Sequence, residues 1–254
     1  MPSRERRLTV RLDVSELYSI LYSVYGEPGW WPAETEFEVC AGAILTQSTS
    51  WKNAEMAIAS LKSAGLMSAE KLAHADVTAI EELVKPSGFY RQKAERLRVF
   101  SRFLLERHHG SLEELAGIEM GNSRNELLSI HGIGEETADS ILLYACNMPV
   151  FVADAYSRRI LGRLGLVYSK SGYAEVKRFV ERSVGGDVVL YNRLHALLVE
   201  FGKKLCRSEP ACSRCFLSDR CKFGSRKLKV EKRVSNREHK DQSGRERYDK
   251  RQLG

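Results

Sequence analysis

The sequence lacks the features that would place the chain in a membrane or in an export pathway. No run of apolar residues is long enough to cross a bilayer. The N-terminal stretch MPSRERRLTVRLDV is basic and has no apolar segment of the kind that export signals carry. We therefore expect a cytoplasmic protein, because nothing in the sequence directs it elsewhere, and we expect its cysteines to stay reduced.

The alternation of apolar and polar residues that predicts β-strands is also scarce. Apolar residues recur instead at helical intervals, as Leu194, Leu197, Leu198 and Phe201 do. A chain of 254 residues with 43% hydrophobic content can bury a sizeable core. The pattern predicts an all-α protein with helices near residues 14–25, 34–47, 51–64, 76–84, 89–107, 122–130, 135–147, 154–165, 172–184 and 187–205.

Most of the chain lacks net charge. Residues 222–254 hold twelve Lys or Arg against five Asp or Glu, and this tail accounts for the whole formal charge of +7. Such a tail suits phosphate backbones electrostatically, and a solubilising extension is the alternative interpretation. We expect the tail to be disordered.

Four cysteines lie close together near the end of the globular part. They follow the pattern Cys206-x5-Cys212-x2-Cys215-x5-Cys221. Four soft sulfur ligands at such short spacing suit an iron–sulfur cluster or a tetrahedral zinc ion. The spacing alone leaves both metals open, with disulfides or unligated thiols as further alternatives.

Two glycines interrupt the helical pattern in the middle of the chain. Gly132 and Gly134, in the string His131-Gly132-Ile133-Gly134, separate one helix from the next. A tight turn there would leave backbone N–H groups unpaired at a helix N-terminus, where they can hold a phosphate. The segment predicts a nucleic-acid backbone site to which His131 could contribute, or an ordinary turn between two helices.

These motifs occur in an order that resembles the helix-hairpin-helix DNA glycosylases of the endonuclease III superfamily. The resemblance covers about residues 15–222 and rests on the hairpin, on Asp154, which lies eighteen residues beyond Glu136, and on the four cysteines that follow. It implies a two-lobed helical fold and a [4Fe–4S] cluster on those cysteines. The first cysteine gap is five residues where the family usually has six, so zinc remains the alternative.

The same resemblance implies roles for two acidic residues. Bifunctional members carry a lysine where this chain has Glu136, and that amine forms a Schiff base with the sugar. A carboxylate cannot form an imine, so we expect hydrolysis without strand cleavage, unless another lysine in the cleft substitutes. Asp154 would assist the attacking water, and its alternative role is that of a helix N-cap.

Three longer strings resemble the 3-methyladenine DNA glycosylase III branch of this superfamily. They are FEVCAGAILTQSTSW, VKPSGFYRQKAERL and GIGEETADSILLYAC. This branch also has glutamate at the lysine position, although it often lacks the cluster cysteines. The resemblance implies removal of an alkylated purine, with 3-methyladenine the best single expectation.

The residues that would receive the extruded base are also expected from the resemblance. Trp51 and one of Trp30 and Trp31 would form pocket walls, since indole rings stack on bases and attract cations. The alternative for the adjacent pair is one core and one surface residue. Gln47 would fill the gap that the base leaves in the duplex, and a helix-terminal glutamine without that role is the alternative.

The expected layout has four parts. Residues 1–33 would join the lobe that carries the cluster, residues 34–150 would form a helical barrel lobe with the hairpin at about 122–147, residues 151–221 would form the second lobe, and residues 222–254 would be the tail.

The sequence therefore predicts a monomeric, monofunctional DNA glycosylase that acts on damaged double-stranded DNA. One alternative is a bifunctional glycosylase and lyase of the endonuclease III type, acting on oxidised pyrimidines. The other is a non-catalytic iron–sulfur module that binds DNA.

Overall fold

The computed structural model describes residues 12–231, which are helical and contain no strand. The helices are α1 (Val14–Tyr25), α2 (Glu36–Leu45), α3 (Trp51–Ser63), α4 (Ala69–His74), α5 (Val77–Val84), α6 (Tyr90–His108), α7 (Leu112–Gly117), α8 (Met120–Ser129), α9 (Glu135–Tyr144), α10 (Ala155–Leu164), α11 (Tyr173–Val184) and α12 (Val188–Lys204). Residues 222–231 form a further helix. No helix in this part of the chain is long and apolar enough to cross a membrane.

Two hydrophobic cores divide the described residues into two lobes. The first core joins α2 to α9 and lies within residues 39–150. The second core gathers α1, α10, α11 and α12, so the chain leaves this lobe after α1 and returns to it after residue 150. The N-terminal helix is held there by Glu16, whose carboxylate accepts hydrogen bonds from Arg220 at 2.6 Å.

Helix α2 forms the centre of the first lobe. Thr35 begins it by accepting a hydrogen bond from the backbone N–H of Glu38, and all eight residues from Glu38 to Leu45 are buried. The helix packs against α3, α6 and α9. Because α2 is buried along most of its length, the position at which the following loop begins is fixed by the core.

A buried ion pair ties the second helix of the hairpin to both lobes. Asp139 of α9 is fully buried and accepts hydrogen bonds from Arg124 of α8 at 2.7 and 3.1 Å. The hydroxyl of Tyr173, which begins α11 in the second lobe, donates to the same carboxylate at 2.8 Å. Breaking such a pair by removing one partner costs about 3–5 kcal/mol, because the other charge stays buried.

The structure departs from the sequence prediction in two places. The helices α4 and α7 were missed, because six residues are too few to show a helical period, although Ser68 and Ser111 cap them. The predicted disorder of the tail begins too early, since residues 222–231 are helical. The rest of the predicted tail, residues 232–254, lies outside the described residues, as do residues 1–11 of the predicted N-terminal segment.

Candidate active site

The turn between α8 and α9 exposes backbone donors. Gly132 adopts a φ of 86°, in the left-handed region that favours glycine, and a Cβ there would collide with the side chain of Arg96. Helix α9 begins at Gly134 without any side-chain cap. Its first N–H groups are therefore available to an anion such as a phosphate.

The other two residues of the turn differ in what they present. Ile133 is only 4% exposed and packs into the first core, and its N–H donates to the carbonyl of Ile130 at 3.0 Å. His131 is exposed and borders a groove with Arg91 and Arg96. This groove places cationic groups beside the free amides of the turn.

A cavity of about 310 Å³ lies between the two lobes. Its walls come from the loop after α1, the loop between α2 and α3, the first turns of α9, the start of α10 and one face of α12. Of the residues expected at the site, it is lined by Trp30, Trp31, Gln47, Trp51, Glu136 and Asp154. Segments that are far apart in the sequence thus meet at one cavity.

Asp154 is the N-cap of α10 and is 8% exposed. Its Oδ1 accepts the backbone N–H of Ser157 at 2.7 Å, and its Oδ2 lies 3.6 Å from Nε2 of His195. Burial alone would raise the pKa of Asp154, but His195 and Ser157 together lower it below its usual value. The predicted capping role is therefore present, and it coexists with a carboxylate that remains ionised.

Glu136 stands in the first turn of α9 and its side chain reaches the same cavity. The residue as a whole is exposed, but its carboxylate is partly surrounded by protein atoms. This partial burial raises the pKa of Glu136 above the usual value. The negative charge of Asp154 raises it further, while His195 and Arg158 act in the opposite direction. The two carboxylates thus lie near each other with pKa values displaced in opposite directions.

Three tryptophans form one wall of the cavity. The ring centres of Trp30 and Trp31 lie 5.5 and 5.3 Å from that of Trp51, and 5.2 Å from each other. The indole of Trp31 packs on α2 at Gly42, where a Cβ would stand 3.1 Å from the ring. Gly42 therefore provides the space that lets this aromatic wall lie against the first lobe.

Gln47 is held against the hairpin. Its Nε2 donates to the carbonyl of Gly132 at 3.0 Å and to Oγ1 of Thr137 at 2.9 Å, and its Oε1 accepts from Arg96 at 2.5 Å. All the hydrogen-bonding groups of this amide are engaged within the protein. To enter a duplex, as the sequence predicts, the side chain would have to exchange these contacts for contacts with DNA.

Three residues of the site were not identified from the sequence. His195 and Lys203 of α12 line the cavity, and Tyr144 at the end of α9 contacts His195 at 2.5 Å. The ammonium of Lys203 lies 5.3 Å from the ring centre of Trp30. A single histidine among apolar residues and one lysine in a basic stretch carry no pattern, so no sequence signal could have found them.

The four cysteines line a second, enclosed cavity between α10, α12 and the C-terminal loop. None of the four forms a disulfide, and apolar side chains such as Ile160, Leu164 and Leu217 complete the walls. Within residues 12–231, no three His, Cys, Asp or Glu side chains form a group that could hold a metal ion. Four cysteines around one cavity supply the soft ligands that an iron–sulfur cluster or a zinc ion takes.

Comparisons with known proteins agree with this geometry. Residues 41–185 match the model of the HhH-GPD superfamily of base excision DNA repair proteins. The chain is 45% identical to a protein provisionally named DNA repair glycosylase from Methanocaldococcus jannaschii, over 82% of this chain and 95% of that one. It is 32% identical to endonuclease III of Thermotoga maritima, over 78% and 87% of the two chains.

A solved structure is also similar. The H. pylori 3-methyladenine DNA glycosylase, in complex with 1,N6-ethenoadenine, superposes with a TM-score of 0.68 at 33% identity, covering 76% of this chain and 98% of that one.

Proposed function

Because the chain belongs to the HhH-GPD superfamily of base excision DNA repair proteins and is a DNA glycosylase, we propose that it removes alkylated purines by hydrolysis alone. The best-fitting base is 3-methyladenine. The observation that carries the proposal is the pair of carboxylates, Glu136 and Asp154, beside an aromatic wall. The protein works as a monomer on damaged double-stranded DNA.

The chemistry follows from the charge of the substrate. A purine alkylated at a ring nitrogen is cationic, so breaking its glycosidic bond releases a neutral base and needs no general acid. What remains is to stabilise the positive charge that develops on the sugar and to activate a water molecule. One ionised carboxylate can perform both tasks.

Asp154 is the residue suited to that role. Its pKa is lowered by His195 and Ser157, so it is ionised at neutral pH, and burial in the cavity strengthens its interaction with a cationic sugar. The water gives its proton to this carboxylate as its oxygen bonds to the anomeric carbon. The products are the free base and an abasic site in an uncut strand.

Recognition of the base is assigned to the tryptophan wall and to Glu136. A purine extruded from the duplex would stack on the indole of Trp51 or Trp30, which contributes about 1–3 kcal/mol per base. Glu136 adds a negative charge next to a cationic base in its ionised form. The ammonium of Lys203 opposes this attraction, but two carboxylates face it across the cavity.

The remaining residues serve DNA binding. The amides of Gly132 and Gly134 would hold a backbone phosphate, with His131 beside them, whereas the predicted contact of Ile133 would require its N–H to leave the carbonyl of Ile130. Gln47 would exchange its contacts on the hairpin for the orphaned partner base. Such contacts predict that affinity falls as salt rises, and the basic tail, residues 222–254, would add to the same effect.

The four cysteines, Cys206, Cys212, Cys215 and Cys221, would hold a [4Fe–4S] cluster, with zinc as the alternative. The cluster would fasten the C-terminal loop to α10 and α12 and takes no part in the hydrolysis. Iron and acid-labile sulfide in the purified protein would support this assignment, whereas one equivalent of zinc would support the alternative.

The function is tested with duplexes that contain a methylated purine, an oxidised pyrimidine, uracil or a G·T mismatch. Free base and strand breaks are measured separately in single-turnover reactions. We expect release of the methylated purine with no strand break and no covalent adduct after borohydride treatment. Release of another base in preference to the methylated purine would contradict the proposal.

One observation favours a bifunctional enzyme as the second candidate. Lys203 lines the cavity and could supply the amine that Glu136 cannot. In that case borohydride would trap an adduct on oxidised pyrimidine, and Lys203→Met would abolish it. The third alternative, a non-catalytic module, is not retained because the family and the relatives are DNA glycosylases.

A further inference from the structure

Three side chains form a polar chain that ends at Asp154. The hydroxyl of Tyr144 lies 2.5 Å from Nδ1 of His195, and Nε2 of the same ring lies 3.6 Å from Oδ2 of Asp154. Tyr144 ends α9 in the first lobe, whereas His195 belongs to α12 in the second. The two lobes therefore meet at the residue proposed to activate water.

The direction of these contacts follows from the donors. Burial raises the pKa of Tyr144 well above its usual value, so its hydroxyl keeps its proton. The indole N–H of Trp30 can only donate to this oxygen, so Nδ1 of His195 is the acceptor within reach of the hydroxyl proton when the ring carries its own proton on Nε2. A neutral ring that accepts at Nδ1 carries its own proton on Nε2, on the side of Asp154.

The second nitrogen has no hydrogen-bond partner among residues 12–231. His195 is 4% exposed, and its Nε2 is fully buried without an acceptor within hydrogen-bonding distance. Leaving a buried donor unpaired is costly, and 3.6 Å from the carboxylate is slightly too long for a hydrogen bond. Contacts of this kind commonly tighten when substrate binds.

We propose that His195, with its ring orientation fixed by Tyr144, is a positioning residue that aims the Asp154 carboxylate and keeps it ionised during hydrolysis. This inference rests on the proposed function. In this arrangement Asp154 contacts the reacting atoms, and His195 and Tyr144 act through Asp154.

The base pocket is physically connected to this chain. The ring centre of Tyr144 lies 5.4 Å from that of Trp31, which packs edge-on against Trp51. A base that stacks on the tryptophans would contact the aromatic cluster that includes Tyr144, whose hydroxyl contacts His195. Base entry and the closure of the contact between His195 and Asp154 can therefore occur together.

Glu136 and Asp154 would both contribute to the acid limb of the pH–rate profile, so the limb reports the pKa of Asp154 in protein that carries Glu136→Gln. The ionisable groups that face or surround this carboxylate are Glu136, Tyr144, Tyr156, Arg158, His195 and Lys203. Of these, His195 is the group that donates toward Asp154 and lowers its pKa. Since the ionised form is active, removing the donor should move the acid limb to higher pH.

The test is single-turnover release of methylated purine across a pH series, using the full-length Glu136→Gln protein and the following substitutions made in it. We expect His195→Leu to lower the maximal rate about 10- to 100-fold, less than the roughly 10²- to 10⁴-fold that an acid–base group itself contributes, and to shift the acid limb upward. His195→Gln, which keeps a donor near Nε2, should restore most of the rate and the original limb. Tyr144→Phe should show a smaller shift in the same direction.

Two matched variants control for loss of folding. His108→Leu removes a buried histidine that pairs with Glu126 at 2.8 Å in the first lobe, and Tyr191→Phe removes a buried hydroxyl on α12. Neither should move the acid limb. If His195→Leu lowers the rate but leaves the limb where it is, or if His195→Gln behaves like His195→Leu, the positioning role is overturned.

A spectroscopic measurement tests the inference without catalysis. In protein labelled with ¹⁵N-histidine, the ¹⁵N chemical shifts of His195 should show the tautomer with its proton on Nε2, and Tyr144→Phe should disturb that tautomer. A proton on Nδ1 in the neutral ring would overturn the inference. If the wild-type protein released no methylated purine, the proposed function would fail, and this measurement would still decide the arrangement of His195.

Discussion

Asp154 and Glu136 stand at the starts of two helices that face one cavity, yet their surroundings are opposite. Asp154 accepts a backbone N–H from Ser157 and lies beside His195, and its pKa is lowered. No donor within residues 12–231 hydrogen-bonds to the carboxylate of Glu136, and burial together with the charge of Asp154 raises its pKa. Two residues with the same functional group thus have different chemistry because of their donors.

Asp139 extends the comparison along α9. It lies three residues beyond Glu136 and is fully buried, but Arg124 and Tyr173 satisfy its carboxylate. Its charge is fully engaged in joining helices, so it has no capacity left for a ligand. Of the three carboxylates, Asp154 is the one suited to catalysis, because it lines the cavity and only one of its oxygens accepts a hydrogen bond.

Replacing Asp154 should give the largest effect. Asp154→Asn keeps the size of the side chain but removes the charge, and we expect single-turnover base release to fall by about 10²- to 10⁴-fold. Affinity for damaged duplex, measured by fluorescence anisotropy, should change little. Retention of the wild-type rate would show that Asp154 acts only as the N-cap of α10 and not in catalysis.

Breaking the pair at Asp139 should affect stability. Arg124→Met leaves a buried carboxylate with one partner fewer, and we expect the free energy of unfolding to fall by about 3–5 kcal/mol in denaturant titrations. The pH dependence of the remaining active fraction should be unchanged. A shift in that profile would indicate that Asp139 communicates with the cavity.

Removing one indole should weaken base recognition. Trp51→Ala should raise KM or lower kcat/KM by an amount equivalent to about 1–3 kcal/mol, the usual contribution of base stacking. Tyr168→Ala provides a control, because this aromatic residue is 69% exposed and lies outside the cavity. Equal effects of the two substitutions would argue against the tryptophan wall as the base pocket.

Replacing Glu136 should give the smallest effect and a distinct pH dependence. The raised pKa means that Glu136 gains its charge at a higher pH than an ordinary glutamate, and only the charged form attracts a cationic base. The wild-type rate on methylated purine should therefore rise as pH passes upward through this pKa. Glu136→Gln should remove that rise and lower the plateau about tenfold, equivalent to about 1.4 kcal/mol. An unchanged profile would remove Glu136 from recognition.

The thermal stability of Glu136→Gln provides a second measurement. A carboxylate whose pKa is raised by folding destabilises the native state at pH values above its pKa in the unfolded chain. Glu136→Gln should therefore raise Tm at neutral pH and leave it unchanged at low pH, where the wild-type side chain is protonated.

The sequence predicts the long helices and the family well, because these depend on local periodicity and on fixed spacings. The distance of eighteen residues between Glu136 and Asp154 is of this kind. Membership in the superfamily and the all-helical fold are confirmed. The roles of the individual site residues and the cluster on the cysteines stay predictions.

Other parts of the site depend on contacts that leave no local pattern. Tyr144 and His195 are 51 residues apart, and their contact exists only because α12 crosses the end of α9. The sequence around Gln47 predicts a position at the DNA interface. Its hydrogen bonds with Gly132 and Arg96, however, depend on how α6 packs on the hairpin. Such contacts follow from tertiary packing, which a periodicity in one segment does not specify.

The hydrogen bonds between Glu16 and Arg220 have a consequence for synthesis of the protein. The first lobe is one continuous stretch of chain, so it can fold while the ribosome is still translating the remainder. Helix α1 emerges earlier but cannot dock until α12 and the loop with Arg220 have been made. During translation the apolar side chains Val14, Leu17 and Leu21 therefore lack their core partners until most of the chain has been made.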